Sequence, residues 1–242
     1  MPVLDADLTI AIITILAAGT MRGFSGFGAA MLIVPVLSIL YGPPIAVSVM
    51  LIMEVPALIQ MLPETSRHTH WRSVLIMAVP AMIVTPLGAY SLVSMDPDLM
   101  RRAIGLVVVL FVVVLGLGWR YRRQPGFAAT ATTGLVSGYF GAAMGIGGPP
   151  VILYYLSGQF PAREVRANVT GYWALRLIAI SAAYYWFGLL TWELVVLALT
   201  LTPPYAVAIW AGGRLFRKAS ETLFRQVGFV IVGAAGVIAL VA

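Results

Sequence analysis

The sequence predicts an all-α integral membrane protein built from two inverted-topology repeats of about five segments each. Three observations carry the prediction. The 242 residues are 61% apolar and only 10% charged, with a mean hydropathy of +0.97. Two long apolar stretches are interrupted by glycine-rich runs, Gly23–Gly28 and Gly145–Pro150, where broken or re-entrant helices are expected. The Lys and Arg residues gather in alternate loops. A soluble domain is roughly half apolar and a quarter charged, so lipid is the solvent this composition requires.

Each element follows from the roughly 20 apolar residues that a helix needs to cross the hydrocarbon core. The runs Ile45–Leu62, Ser73–Val93, Ala103–Gly118, Val165–Trp186, Leu190–Trp210 and Val227–Ala242 meet or approach that length. Trp71, Trp119, Trp192 and Trp210 sit near run ends, where amphipathic rings favour the headgroup region. Pro80 and Pro86 fall inside one run and remove helix hydrogen bonds, which predicts a kink. Leu8–Tyr41 is too long for one crossing, since as a single helix it would measure about 50 Å against a core of about 30 Å. It reads as two shorter helices meeting at Gly23–Gly28. Ala128–Leu156 repeats the pattern, with its break at Gly145–Pro150.

Counting each broken stretch as a pair gives ten segments. With the N-terminus outside, twelve of the fifteen Lys and Arg fall on the inner side: Arg22; Arg67 and Arg72; Arg120, Arg122 and Arg123; Arg163 and Arg166; Arg214, Arg217, Lys218 and Arg225. Arg101 and Arg102 lie outside and Arg176 falls within a segment. This is a positive-inside pattern with both termini outside, as expected for a bacterial plasma (inner) membrane protein. It also accounts for the net charge of +6 without nucleic acid. The N-terminal residues carry Asp5 and Asp7 and no basic residue, so the first run is expected to be a retained helix rather than a cleaved signal peptide.

The chain repeats itself. Phe27-Gly28-Ala29-Ala30-Met31 recurs as Phe140-Gly141-Ala142-Ala143-Met144, and Gly19, Gly23 and Gly26 have the spacing of Gly134, Gly138 and Gly141. The two matches imply registers two residues apart. The division is a first transmembrane repeat at 1–118, a basic cytoplasmic linker at 119–126 and a second repeat at 127–242. An odd number of segments per half inverts the second repeat, a common transporter plan with substrate held near the midplane.

A glycine-rich break frees backbone N–H groups with no side chain in the way, and a half-helix that starts there presents its positive dipole end. This favours a small oxyanion near Ser25, Gly26, Phe27 and Gly28 on one side, and near Gly145, Ile146, Gly147 and Gly148 on the other. Pro149 and Pro150 suit a first helical turn. Gly19 and Gly23, like Gly134 and Gly138, fit close helix packing as well. Intramembrane charges are costly and point to function. Arg176 either pairs with Glu54 or grips the anion through its planar fork; Glu54 either closes that pair or carries a coupling proton. Arg22 lines the inner vestibule or marks the inner face, and Asn168 offers a neutral hydrogen bond. Cysteine is absent. The two histidines of His68-Thr69-His70 lack the company a metal centre needs, and no nucleotide-binding or hydrolase motif is present. No cofactor, metal or catalytic centre is expected, and the chain is not read as an enzyme.

The stretch from Gly19 to Pro35 resembles the first signature of the TauE/SafE sulfite exporter family, and Gly134 to Pro150 resembles the second. The first departs from the glycine-rich form at Ala29 and Ala30. The resemblance spans essentially the whole chain and implies a permease, usually an exporter, for sulfite or organosulfonates. An anion channel is the nearest alternative. A membrane scaffold or an intramembrane enzyme is a third, and the latter finds only Glu54 as a buried acid. Proton coupling and a homo-oligomer are both compatible with the sequence.

Overall fold

The computed structural model describes residues 6–25, 28–65, 68–117, 126–157, 162–215, 230 and 233–241. Among these the chain forms α1 (Ala6–Ser25), α2 (Ala29–Tyr41), α3 (Pro43–Thr65), α4 (Trp71–Ser94), α5 (Pro97–Gly116), α6 (Phe127–Met144), α7 (Gly148–Ser157), α8 (Ala162–Trp186) and α9 (Trp192–Leu215), with further helix at 233–241. No strand occurs among the described residues. The protein is an all-helical integral membrane protein. Ala6–Gly23, Trp71–Ser94, Pro97–Gly116 and Trp192–Arg214 are long and apolar enough to cross a bilayer, and Ala29–Tyr41 and Pro43–Pro56 are shorter apolar helices. At 25 residues α8 has the length but not the composition, because Asn168, Thr170 and Arg176 interrupt its apolar run.

Local chemistry sets the helix ends. The Asp96 carboxylate accepts the N–H groups of Asp98 and Leu99, both at 3.0 Å, and Pro97 occupies the first position of α5, where its missing N–H costs nothing. Gly42, at φ 85°, ends α2 with its N–H on the Ser38 carbonyl, and Pro43 opens α3. Hydroxyl groups in the spans turn back onto their own helices, as Thr14 does to Ile10 and Thr85 to Ala81, since lipid offers them no partner. The helix α4 runs on through both Pro80 and Pro86.

The helices group into two compact units that do not follow sequence order. One contains residues 1–53, 95–116 and 190–242; the other contains 54–94 and 117–189. Each therefore draws on both sequence halves, and α3 contributes to both. In the first unit α1 packs on α9. In the second α4 packs on α6, and Val74, Met77, Ala78 and Ala81 of α4 form a core with Val151 and Tyr155 of α7 and Tyr172 of α8.

Both principal seams are made by glycine. Gly19 lies against Tyr205 and Ala208, and Gly23 against the Ile209 carbonyl and the Gly213 amide; Gly212 of α9 returns the contact to the Thr20 carbonyl. In the second unit Gly134 lies on the Met77 carbonyl, Gly138 on Ala81, and Gly88 on Tyr139 and Ala142. Residue numbers rise together along both seams, so each pair is parallel. Missing side chains let the backbones approach where lipid gives no hydrophobic push. Gly23 is accordingly a packing residue inside α1 and not part of the first interruption, while Pro149 and Pro150 lie inside α7 and not in the second. Glycine spacing, rather than the repeated pentapeptide, marks positions of matching packing: Phe140–Met144 closes α6, whereas Ala29–Met31 opens α2.

Gly134→Ala places a Cβ into the Met77 carbonyl and is expected to destabilise the protein by about 1–3 kcal/mol, read as a lower melting temperature in detergent. Gly116→Ala, which meets open space, is expected to be neutral or to stabilise by less than about 1 kcal/mol.

Candidate functional site

The second unit builds its polar centre around the α6–α7 hairpin. The helix α6 ends where Gly145 turns left-handed, at φ 68°, which a side chain would resist. The N–H groups of Gly145 and Ile146 both turn back to the Phe140 carbonyl. The chain then folds back on α6: Gly147 packs against Ser137 and Gly141, and at the far end of α7 the Tyr154 hydroxyl lies 2.6 Å from Thr130 Oγ1. The hairpin is thus antiparallel. Between Gly147 and Pro150 only Gly147 and Gly148 carry an N–H, because prolines fill the next two positions of α7.

One face of α8 closes over this hairpin. Asn168, Tyr172, Arg176, Ile180 and Tyr184 recur every fourth residue and are all buried. The Tyr172 hydroxyl donates to Ser137 Oγ at 2.8 Å, and Ser137 donates in turn to the Gly147 carbonyl at 2.5 Å. The Tyr184 hydroxyl donates at 2.6 Å to the carbonyl of Ala142, one of the last in α6, which has no donor within its helix. Two tyrosines of α8 therefore fix the interruption from either side of Arg176.

Arg176 lies about 21 Å along a helix of about 37 Å, with only 6% of its surface exposed. Its guanidinium carbon stands 4.8 Å from the centre of the Trp173 ring. The guanidinium occupies the space that a side chain at Gly141 would fill, and Trp173 also borders Gly148. Arg176, Trp173, Gly141, Gly147 and Gly148 thus form one cluster. The Arg176 Nε has no hydrogen-bond partner, and among the described residues no carboxylate stands within ion-pair distance of it. The pairing with Glu54 allowed by the sequence is therefore not the contact Arg176 makes. Glu54 itself is half-buried in α3.

A sulfite exporter TauE/SafE family model matches residues 11–239. The chain belongs to the TauE/SafE sulfite exporter family. No curated protein and no solved structure matches it significantly. Membership implies membrane transport of anions such as sulfite, and it gives Arg176, with no carboxylate beside it among the described residues, a chemical context.

The remaining expected site residues are distributed between the two units. Gly145, Ile146, Gly147, Gly148, Asn168 and Arg176 all belong to the second. Arg22 and Gly28 belong to the first. Gly28 caps α2 at φ 93°, a left-handed conformation that disfavours any side chain. Arg22 donates to the Tyr205 hydroxyl at 3.0 Å and lies over that ring. Gly26, Phe27 and the side chain of Ser25 lie outside the described residues. Asn168 accepts the His70 N–H at 2.7 Å, and the His70 ring contacts Glu164 at 3.0 Å, joining the start of α4 to the start of α8. Sequence reasoning did not identify Gly141, Ser137, Tyr172 or Tyr184 as site residues. The four-residue spacing of polar and aromatic groups on α8 was visible, but what they touch was not.

Ser137→Ala removes the donor to Gly147 and the acceptor for Tyr172 together. It is expected to destabilise the protein by about 1–3 kcal/mol and to speed amide exchange in the first turn of α7, which unfolding and hydrogen-exchange measurements would check.

Proposed function

We propose that this TauE/SafE protein is a secondary exporter of a small sulfur-containing oxyanion, sulfite or an organosulfonate, and that Arg176 holds the anion. One observation carries the reading: a cation midway along a membrane helix, almost wholly buried, has an Nε without a partner and no carboxylate beside it among the described residues. An isolated charge in an apolar interior is strongly disfavoured. An anion that loses its own water to bind there offsets that cost. The guanidinium presents a flat array of donors that suits two oxygens of a trigonal or tetrahedral oxyanion. The Gly147 and Gly148 amides, at the positive end of α7, add donors from the same cluster. Trp173 supplies an apolar wall that also tolerates the carbon of a sulfonate.

The transport cycle in this reading is alternating access, with the Arg176 site opening to each face of the membrane in turn. Inverted topology of the two repeats gives that cycle its symmetry. The parallel seams support it: α1, first in its repeat, runs with α9, fourth in the other, and in a repeat of alternating segments the first and fourth run oppositely. Both termini then lie outside a bacterial inner membrane. In this reading Arg22 and Gly28 are the corresponding anion-facing residues of the first repeat, and Glu54 carries a coupling proton.

Reconstitution in liposomes tests the proposal. Arg176→Ala is expected to lower sulfite flux on the order of 100-fold at sub-saturating substrate, from the loss of about 3 kcal/mol of charge-assisted hydrogen bonding. Arg176→Lys keeps the charge but not the planar fork and is expected to fall between Arg176→Ala and the wild type. Gly141→Ala, which displaces the guanidinium, is expected to raise the apparent KM about tenfold. Wild-type flux in Arg176→Ala defeats the assignment.

A further inference from the structure

The face of α8 that carries Arg176 holds a second unpartnered donor. Asn168 is fully buried at 0% exposure. Its carboxamide orientation is fixed, because the group facing it, the His70 N–H at 2.7 Å, can only donate and must be met by Oδ1. The Nδ2 therefore points elsewhere, and it has no hydrogen-bond partner. A buried amide nitrogen without an acceptor costs about 1–3 kcal/mol. Several threonines in the spans avoid such a cost by turning back on their own helix, whereas the Asn168 Nδ2, like the Ser38 and Ser48 hydroxyls, does not.

Asn168 and Arg176 are eight residues apart, two turns and about 12 Å along the same face. Between them Tyr172 has committed its proton to Ser137. Asn168 stands at the end of the second unit where α4, α6 and α8 begin and α7 ends, as the His70 and Tyr154 contacts place it. Arg72 in the first turn of α4 belongs to the same end, and the sequence puts Arg163 and Arg166 in the first turns of α8.

We infer that Asn168 is a second, neutral oxyanion contact, met by the anion in transit between the basic end of α8 and Arg176. This deepens the proposed function and rests on it. A neutral amide is suited to the step: it gives one hydrogen bond to an oxyanion that has shed part of its hydration, without the charge that would retain it. Arg176 supplies affinity and Asn168 supplies passage. The ligand class is the one Arg176 takes, a small oxyanion with a free oxygen lone pair.

The decisive variant is Asn168→Asp. It keeps an oxygen for the His70 N–H and, when ionised at pH 8, replaces the donor by a negative charge. In the reconstituted full-length protein, sulfite flux is expected to fall at least tenfold. Stabilisation of the same variant by sulfite in a thermal melt is expected to persist, because the Arg176 contact remains. Thr69→Val serves as the control. It removes the neighbouring tie from Thr69 Oγ1 to the Ala167 carbonyl at 3.1 Å, leaves the Asn168 donor intact, and is expected to transport like the wild type. Wild-type flux in Asn168→Asp overturns the inference. So does an equal loss in Thr69→Val, which would make Asn168 part of a structural joint only. Should Asn168→Asp fail to fold, crystals of the wild-type protein with selenite decide through the selenium anomalous signal. A peak within hydrogen-bond reach of Asn168 Nδ2 supports the contact. A peak at Arg176 alone overturns it and leaves the proposed function standing. Absence of both overturns the Arg176 reading with it.

Discussion

Lipid hydrogen-bonds with nothing, and the α6–α7 interruption is shaped by that fact. Where α6 stops at Met144, its last carbonyls and the first amides of α7 lose their helical partners. Tyr184 answers one carbonyl, the Tyr172–Ser137 chain reaches another at Gly147, and the two amides after Met144 turn back onto Phe140. On the α8 face that closes over this turn, the Arg176 Nε and the Asn168 Nδ2 are left without a partner. The turn is held by side chains of α6 and α8, while a buried guanidinium nitrogen beside it has no hydrogen-bond partner.

The same constraint explains why α8 is at once long and insufficiently apolar. A span that only anchors can be apolar throughout, as α5 nearly is over Ile104–Gly116. A span that closes over a break must carry hydroxyls for the freed backbone and, here, a guanidinium. Asn168, Tyr172, Arg176 and Tyr184 fall at multiples of four and are buried, and the opposite side keeps Ile178 and Tyr185 exposed. Gly141 completes the arrangement from α6, since any side chain there would take the guanidinium's place. Close approach by glycine does two jobs in this molecule: on both seams it brings helix backbones together, and at Gly141 it makes room for a charge.

Interleaving is the other consequence. Sequence repetition suggests two bodies in series, whereas the compact units each take helices from both halves. The two statements concern different things. Repetition is a property of the sequence pattern. Compactness records which faces bury one another, and the small-residue faces of α1 and α6 find their partners in α9 and α4, neither of them the next helix along the chain.

Composition and pattern alone determined that this chain lives in lipid, that it is helical, that the stretch Ala128–Leu156 is not one helix, and which family it belongs to. Those properties follow from local physics, namely transfer energy, chain length against bilayer thickness, and the helix-breaking chemistry of glycine and proline. Arg176 was also legible, because a charge within an apolar run is conspicuous at any level of detail. Only the tertiary structure decided its surroundings. That Gly141 yields space to its guanidinium, that Tyr172 is spent on Ser137 and that Tyr184 is spent on the Ala142 carbonyl all depend on which residues meet across helices 30 or more positions apart. Only there could Gly23 be told apart as packing rather than break, because a glycine's freedom is local while the carbonyl it approaches belongs to another helix.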